Sequence, residues 1–445
     1  MADGRDGAPQ GRPERPPGSK RSLANEHRLV ALGDAVDRQS GVQRKRRSAR
    51  PGRRRRRVII SIATVLVLIV AVVGGGYLYT NYRFDQIPKI KVAGELPQLS
   101  GKPFNILEIG SDSRVGLTGK VAAATGGASV QGQRSDVVKI MHIDPVAGTI
   151  TVLSIPRDTM VTLLANQSLY GNYNRINVNF AEGPSLLAQT ITANLGIPIQ
   201  HVVVVSFAGL MNSVDAIGGI YLDFRYPAKD EYSGLNIKTT GCQLVTRFQA
   251  LAVARSRHYE WYQNGMWNFD GTSDFGRIIR QDAFMRAMIN RVRGLYNPLT
   301  INAFLSKVPQ GITLDDNFTL NDLIEIAVKF HGMNPNAMLT YTLPTIAGTN
   351  ASVGDVLYVD QPAAQQMLVD LYGNTLLTPT NPPPNAELQT PMPPKVAATT
   401  STTTTTIAPK KSGTSKGTTT TTHPSNLVPG STQATPLYDP VPCSP

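Results

Sequence analysis

The sequence predicts a three-layer α/β domain built on a mixed central sheet and preceded by one transmembrane helix. Three observations carry that reading: strand and helix signals alternate from about residue 100 to 373, Val58–Tyr79 holds no charged side chain, and the positive charge is concentrated at one end. Alternation of the two element types within one segment marks helices layered on a sheet. The 445 residues carry a formal charge of +13, but residues 1–57 contain 17 Lys/Arg against 6 Asp/Glu, a net of +11. The other residues therefore carry only +2. That removes the support for a nucleic-acid-binding face on the folded part.

Taken in order, residues 1–57 are polar, lack an apolar period and read as a disordered, basic cytoplasmic tail. Residues 58–80 follow as a membrane anchor, since 22 uncharged residues span about 33 Å as a helix, close to a hydrocarbon core. The long leader before them argues against a cleaved signal peptide. Arg50 and the run Arg53–Arg57 place the N-terminus in the cytoplasm and the remainder outside. Residues 81–99 read as a linker, 100–374 as the folded domain, and 375–445 as a tail. The tail contains Thr402–Thr406 and Thr418–Thr422, the composition of an extended stalk. Two cysteines, Cys242 and Cys443, exclude a disulfide-stapled miniprotein, and their pairing is left open.

Within the domain, Phe104–Gly110, Val137–Ile143, Thr149–Ile155, His201–Phe207, Ile220–Phe224 and Met338–Leu343 are β-branched apolar runs ended by turn residues. Pro184–Leu195, Leu210–Ile217, Phe248–Ala254, Asp274–Leu295, Leu299–Val308, Leu320–Phe330 and Gln361–Tyr372 have helical spacing. Residues 100–374 have no nucleophile elbow, Walker loop or dinucleotide-binding glycine triplet.

Acids and arginines instead gather where strands end: Asp112 and Arg114, Arg134 and Asp136, Arg157 and Asp158. Strand ends of α/β sheets are where ligands bind. Carboxylates there suit a hard cation and arginines fork onto phosphate oxygens; surface salt bridges are the plain alternative. On the helix from Asp274, the residues Ile278, Met285, Met288, Ile289 and Val292 share one stripe, and Asp274, Arg277 and Gln281 fall on its N-terminal end. A charged trio on a core-facing stripe is expensive unless paired or liganded. Arg280, Arg286, Arg291 and Arg293 are expected to point elsewhere. Arg255 and Arg257 face one ligand only if the backbone between them is extended.

At these residues the sequence resembles the LytR-CpsA-Psr family. The matching segments are Asn105-Ile-Leu-Glu-Ile-Gly-Ser-Asp-Ser-Arg114, Arg134-Ser-Asp136, Ser154-Ile-Pro-Arg-Asp-Thr159, Arg255-Ser-Arg257, and Asp274-Phe-Gly-Arg277 running into Arg280-Gln281. The resemblance implies an extracytoplasmic, Mg²⁺-dependent phosphotransferase. It would move a glycopolymer from a polyprenyl-pyrophosphate carrier in the cytoplasmic membrane onto peptidoglycan. By the same resemblance, Asp112 and Asp136 are the Mg²⁺ ligands. Arg134, Arg157, Arg255, Arg257, Arg277 and Gln281 bind pyrophosphate, with Arg255 and Arg277 also acting in catalysis. Asp274 becomes a candidate base or orienter, and Ile278, Met285, Met288 and Ile289 line a prenyl tunnel.

The sequence departs from the family at Val137, at Arg175, at Glu108 in a strand otherwise kept apolar, and in a longer Tyr259–Thr272 segment holding both tryptophans. The same residues would serve a polyprenyl-pyrophosphate hydrolase; a lipid-carrier or wall-binding module is a third expectation.

Overall fold

Phe104–Ser111 is the strand around which the chain is organised. Phe104 and Ile106 point into one apolar cluster, Leu107 and Ile109 into another on the opposite face, as the two-residue period of a strand requires. A computed structural model describes residues 51–112, 135–293, 298–307, 309, 311–385 and 435–444. It divides into residues up to Gly75 and a body from Gly76 onward.

In chain order the elements used below are α1 (Pro51–Phe84), β1 (Lys89–Ile90), β2 (Phe104–Ser111), β3 (Ser135–Asp144), β4 (Thr149–Ser154), α2 (Pro184–Leu195), β5 (His201–Ser206), α3 (Phe207–Ala216) and β6 (Ile220–Phe224). They continue as β7 (Ala228–Asp230), β8 (Leu235–Ile237), β9 (Gly241–Val245), α4 (Arg247–Arg255), β10 (Glu260–Gln263), β11 (Met266–Phe269), α5 (Asp274–Arg293), α6 (Pro298–Lys307) and β12 (Ile312–Asp315). Last come α7 (Leu320–Phe330), β13 (Leu339–Thr342), α8 (Gln361–Tyr372) and β14 (Val441–Pro442).

The central sheet has seven strands in the order β1-β12-β5-β2-β3-β4-β13. It is mixed: β2 runs parallel to β5 and antiparallel to β3. One face is covered by α2 and α8, whose Leu187, Ile191, Met367 and Leu368 pack with Leu107 and Ile109. On the other face, Phe104 and Ile106 meet Leu320 and Phe330 of α7, while α4 and α5 pack with the smaller sheet that contains β6. The expected three-layer arrangement is therefore present.

Helix α1 extends beyond the expected span on both sides, and its Ile59–Phe84 portion is long and apolar enough to cross a membrane, with a mean hydropathy of 2.6. Residues 81–99 are not a free linker. Phe84, Ile87 and Val92 are buried, and β1 pairs with β12.

The C-terminal boundary also differs from expectation. The Leu377 N–H donates to the Gly196 carbonyl at 2.8 Å and the Asn381 N–H to that of Ala193 at 2.9 Å, so the body continues past 374. Both threonine runs lie outside the described residues, but 435–444 returns to the body. Tyr438 stacks on Trp261 at 3.9 Å, β14 joins the edge of β6, and Cys443 forms a disulfide with Cys242. Asp439 pairs with Arg280 at 2.6 Å, and Asp270 meets the same guanidinium at 2.8 Å.

Arg280 was expected to point away from the core. It is instead fully buried, because Asp270, Asp439 of the returning C-terminal segment, the Ser256 carbonyl and the Tyr259 ring close around its guanidinium. Helical periodicity finds the faces of a helix but not what covers each face.

Two predictions follow from this packing. Arg280→Ala strands two buried carboxylates and is expected to cost about 3–5 kcal/mol in denaturant unfolding; a change within about 0.5 kcal/mol contradicts this burial. At the far end of the sheet, Glu95, Asp315 and Asp316 bring carboxylate oxygens within 4.8 Å of one another. Burial first, then Asp315, pushes the Glu95 carboxyl up to about 7. A raised folded-state value means stability present below the ordinary carboxylate range is lost as pH rises through about 7. Glu95→Gln should therefore stabilise the protein at about pH 8 and not at about pH 5. With its partial exposure discounted, the gain is about 1 kcal/mol.

Candidate active site

Antiparallel register brings the first acids together. Ser111 of β2 pairs with Ser135 of β3 across a register shift, so Asp112 and Asp136 stand at the same end of neighbouring strands. Gly110 belongs there because a Cβ would lie 2.6 Å from that of Val137. Beyond β4, Pro156 leads into Arg157, whose Nη1 donates to Asp136 Oδ1 at 2.5 Å.

The second half of the site comes from α4 and α5. Arg255 ends α4, and Ser256 is extended at φ −65° and ψ 120°, the condition required for Arg255 and Arg257 to face one ligand. Both line the same cavity. The bend is held by buried Asp230, which accepts from Ser256 Oγ at 2.6 Å, Arg257 N–H at 3.0 Å and His258 N–H at 2.9 Å. Burial opposes the Asp230 charge, but the Ser256 hydroxyl and the His258, Ser233 and Tyr232 N–H groups outweigh it and hold the carboxyl below its ordinary range.

From α5, Arg277 Nη2 donates to the Asp136 carbonyl at 2.6 Å, and Gln281 Nε2 to that of Ala254 at 3.0 Å. Asp274 Oδ1 lies 2.8 Å from Arg277, 3.4 Å from Arg257 and 3.8 Å from Arg157. These are charge contacts rather than aligned hydrogen bonds: the Nε groups of Arg157, Arg257 and Arg277 are buried without an acceptor in hydrogen-bond geometry, and so is the Asp274 carboxylate without a donor. Burial raises the Asp136 carboxyl, yet Arg277 and Arg157 outweigh that and hold it below the ordinary range.

The structure thus gathers Asp136, Arg157, Arg255, Arg257, Arg277 and Gln281 around one cavity of about 590 Å³. Asp274 sits against three of the arginines, and half-buried Asp112 follows the lining residue Ser111. Arg114 and Arg134 lie outside the described residues. Below the arginines the cavity turns apolar, lined by Met285, Met288, Ile289, Leu210 and Phe304. Ile278 was expected in that lining. It is buried at 4% but does not line the cavity, since at its level of α5 Arg277 and Gln281 face the opening instead.

Glu108 opens into this otherwise apolar space beside Lys139. Lys139 Nζ is bound to Asp282 at 2.5 Å and Ser154 at 2.7 Å. Burial pushes the Glu108 carboxyl above its ordinary range, and Lys139 only partly offsets this. Asp230, Lys139 and Asp282 had not been singled out from the sequence. Asp230, within Lys229-Asp-Glu-Tyr232, carries no spacing signal, and the row of Glu108, Lys139 and Ser154 needs strand register.

Fold and site together define an α/β protein with clustered guanidinium groups at the mouth of a largely apolar cavity. The model of the LytR_cpsA_psr family matches residues 80–372, and the chain belongs to that family. It is 29% identical over 268 residues to the "Probable cell wall biosynthesis protein LcpB" of Corynebacterium glutamicum, covering 59% of each chain. It is 30% identical to "Polyisoprenyl-teichoic acid--peptidoglycan teichoic acid transferase TagV" of Bacillus subtilis, over 52% of this chain and 54% of the relative. The match thus spans little more than half the length of these curated relatives. Among solved structures, the "LytR-Csp2A-Psr enzyme from Actinomyces oris" has the same fold, with a TM-score of 0.51 at 22% identity over 66% of this chain and 97% of the other.

The cavity yields a direct prediction. Met285→Trp adds a ring to its apolar part and should weaken binding of farnesyl phosphate about tenfold. Affinity for inorganic pyrophosphate should not change. Equal retention of farnesyl phosphate by both proteins, measured by calorimetry, places its chain elsewhere.

Proposed function

We propose that this chain is a membrane-anchored, extracytoplasmic phosphotransferase that moves a glycopolymer from a polyprenyl-pyrophosphate carrier onto peptidoglycan. The observation that carries this reading is the convergence of four cavity-facing arginines at the mouth of an apolar cavity. A polyprenyl pyrophosphate has the same division into a charged head and an apolar chain. The names of the curated relatives, wall-biosynthesis protein and teichoic acid transferase, supply the polymer and the acceptor wall. Apolar Ile59–Phe84 supports an anchor, and the Cys242–Cys443 disulfide suits an oxidising exterior.

The chemistry needs positioning more than covalent help. Arg157, Arg255, Arg257 and Arg277 would hold the pyrophosphate by forked contacts, with the buried Nε donors of Arg157, Arg257 and Arg277 finding phosphate oxygens. Asp112 and Asp136, hard oxygen donors side by side at two strand ends, fit a Mg²⁺ ion; when bound, it would neutralise charge on the phosphate oxygens. An acceptor sugar hydroxyl attacks phosphorus, a new phosphate–oxygen bond forms, and the bond to the bridging oxygen breaks. Polyprenyl phosphate leaves, and the hydroxyl proton passes to Asp274, whose Oδ2 is free of a hydrogen-bond donor.

The test is transfer of a labelled glycan from its polyprenyl-pyrophosphate carrier to peptidoglycan by the full chain in detergent, with and without Mg²⁺. Mg²⁺-dependent transfer is expected, with Asp112→Ala losing nearly all of it. Arg255→Lys should lose about a hundredfold, because an ammonium cannot fork onto two oxygens. Melting temperatures should be nearly unchanged in both variants. Release of free glycan with peptidoglycan present makes the protein a hydrolase, and no Mg²⁺-dependent turnover overturns the enzyme reading.

A further inference from the structure

The hairpin β10–β11 presents aromatic rings to solvent beside the site. It turns through Asn264 and Gly265, both at positive φ (54° and 82°), the two-residue geometry that fits strand twist. In its register Glu260 faces Phe269, Tyr262 faces Trp267, and Lys229 of β7 faces Glu260. Glu260, Tyr262, Trp267, Phe269 and Lys229 therefore share one side of this small sheet, while Trp261 on the other side is covered by Tyr438. On the open side Phe269 is 57% and Trp267 44% exposed, and Tyr232 beside them is 76% exposed.

These rings continue from the mouth of the cavity. Tyr232 and His258, one residue beyond Arg257, line it. The Tyr232 and His258 rings lie 4.4 Å apart, and His258 and Phe269 6.4 Å apart, tilted by 39° and 34°. Lys229 Nζ lies 4.7 Å from the Trp267 ring centroid and 3.1 Å from Glu260, so the aromatic surface carries one fixed charge pair.

We infer that this surface is a saccharide subsite for the first sugar units attached to the carrier pyrophosphate; the inference rests on the function proposed above. Sugar rings present a face of C–H groups and a rim of hydroxyls. The C–H face meets the electron-rich face of an aromatic ring, and Lys229 and Glu260 offer a donor and acceptors to the rim. A sugar bonded to a pyrophosphate held by Arg257 leaves the cavity past His258 and Tyr232, onto Phe269 and Trp267.

A membrane-interface belt is the other occupant such rings suit. The charge pair within the patch weighs against it.

The experiment compares farnesyl pyrophosphate with farnesyl pyrophosphate carrying an N-acetylglucosaminyl disaccharide, each titrated into the full chain in detergent. The glycosylated ligand should bind about tenfold more tightly. A Trp267→Ala, Phe269→Ala double variant should lose that gain while its affinity for bare farnesyl pyrophosphate stays within about twofold. Both side chains are exposed, so the melting temperature should hold, and Phe269→Tyr, which keeps the ring, should keep the gain. Equal affinity of the wild type for the two ligands overturns the subsite, as does a gain that survives in the double variant. If the gain survives while binding to phosphatidylglycerol vesicles is lost, the patch is a membrane contact. Binding of neither ligand refutes the pyrophosphate reading itself, a result distinct from the loss of the sugar-dependent gain alone.

Discussion

Three guanidinium groups within 3.8 Å of one carboxylate oxygen set the terms for the rest of the structure. Like charges at that spacing repel strongly where solvent is scarce, and Asp274 is their common counter-ion. The first turn of α5 must therefore stay fixed relative to β4 and the end of α4. Gly276 shows how tightly it is held: a Cβ there would lie 2.2 Å from Asp270 Oδ2 and 2.7 Å from Arg280 Nη2. Arg280, about 100° round the helix from Gln281, bonds Asp270, Asp439 and the Ser256 carbonyl. That last bond ties the anchoring of α5 to Ser256, the residue between Arg255 and Arg257. Positioning charge and binding charge meet in one helical turn.

Much of this was legible in the residues. The central strands and the helices Pro184–Leu195, Leu320–Phe330 and Gln361–Tyr372 followed from apolar period and end signals, because burial on one face imposes a period that local sequence carries. The ionic end of α5 was legible for the same reason: charge on an apolar stripe conflicts with burial and so marks a place where something else compensates. Arg280 was misread because periodicity cannot reveal that a distant segment, residues 435–444, covers another face of the helix. The hairpin did have a local signal, Asn264-Gly265 between aromatic runs, which the α/β alternation overshadowed.

The cavity shows why composition alone underdescribes a binding site. Methionines and other apolar side chains make its lower part suited to hydrocarbon, yet Glu108 opens into that space and Lys139 stands next to it, bound on its far side to Asp282 and Ser154. Lys139 is satisfied by its neighbours, whereas Glu108 is disfavoured in its charged form. The apolar wall of the cavity thus carries one carboxyl that burial disfavours in its charged form.

The Cys242–Cys443 bond joins residues 201 positions apart and so changes the topology of the covalent chain. The threonine-rich stretch between residues 386 and 434 is bracketed by two parts of the body and is an insertion in a closed ring, not a free end. A protease cut within it would leave both fragments attached to one molecule. Asp439 and Tyr438 would remain at their stations beside Arg280 and Trp261. Cleavage of that stretch would therefore not release the segment that secures the helix of the site.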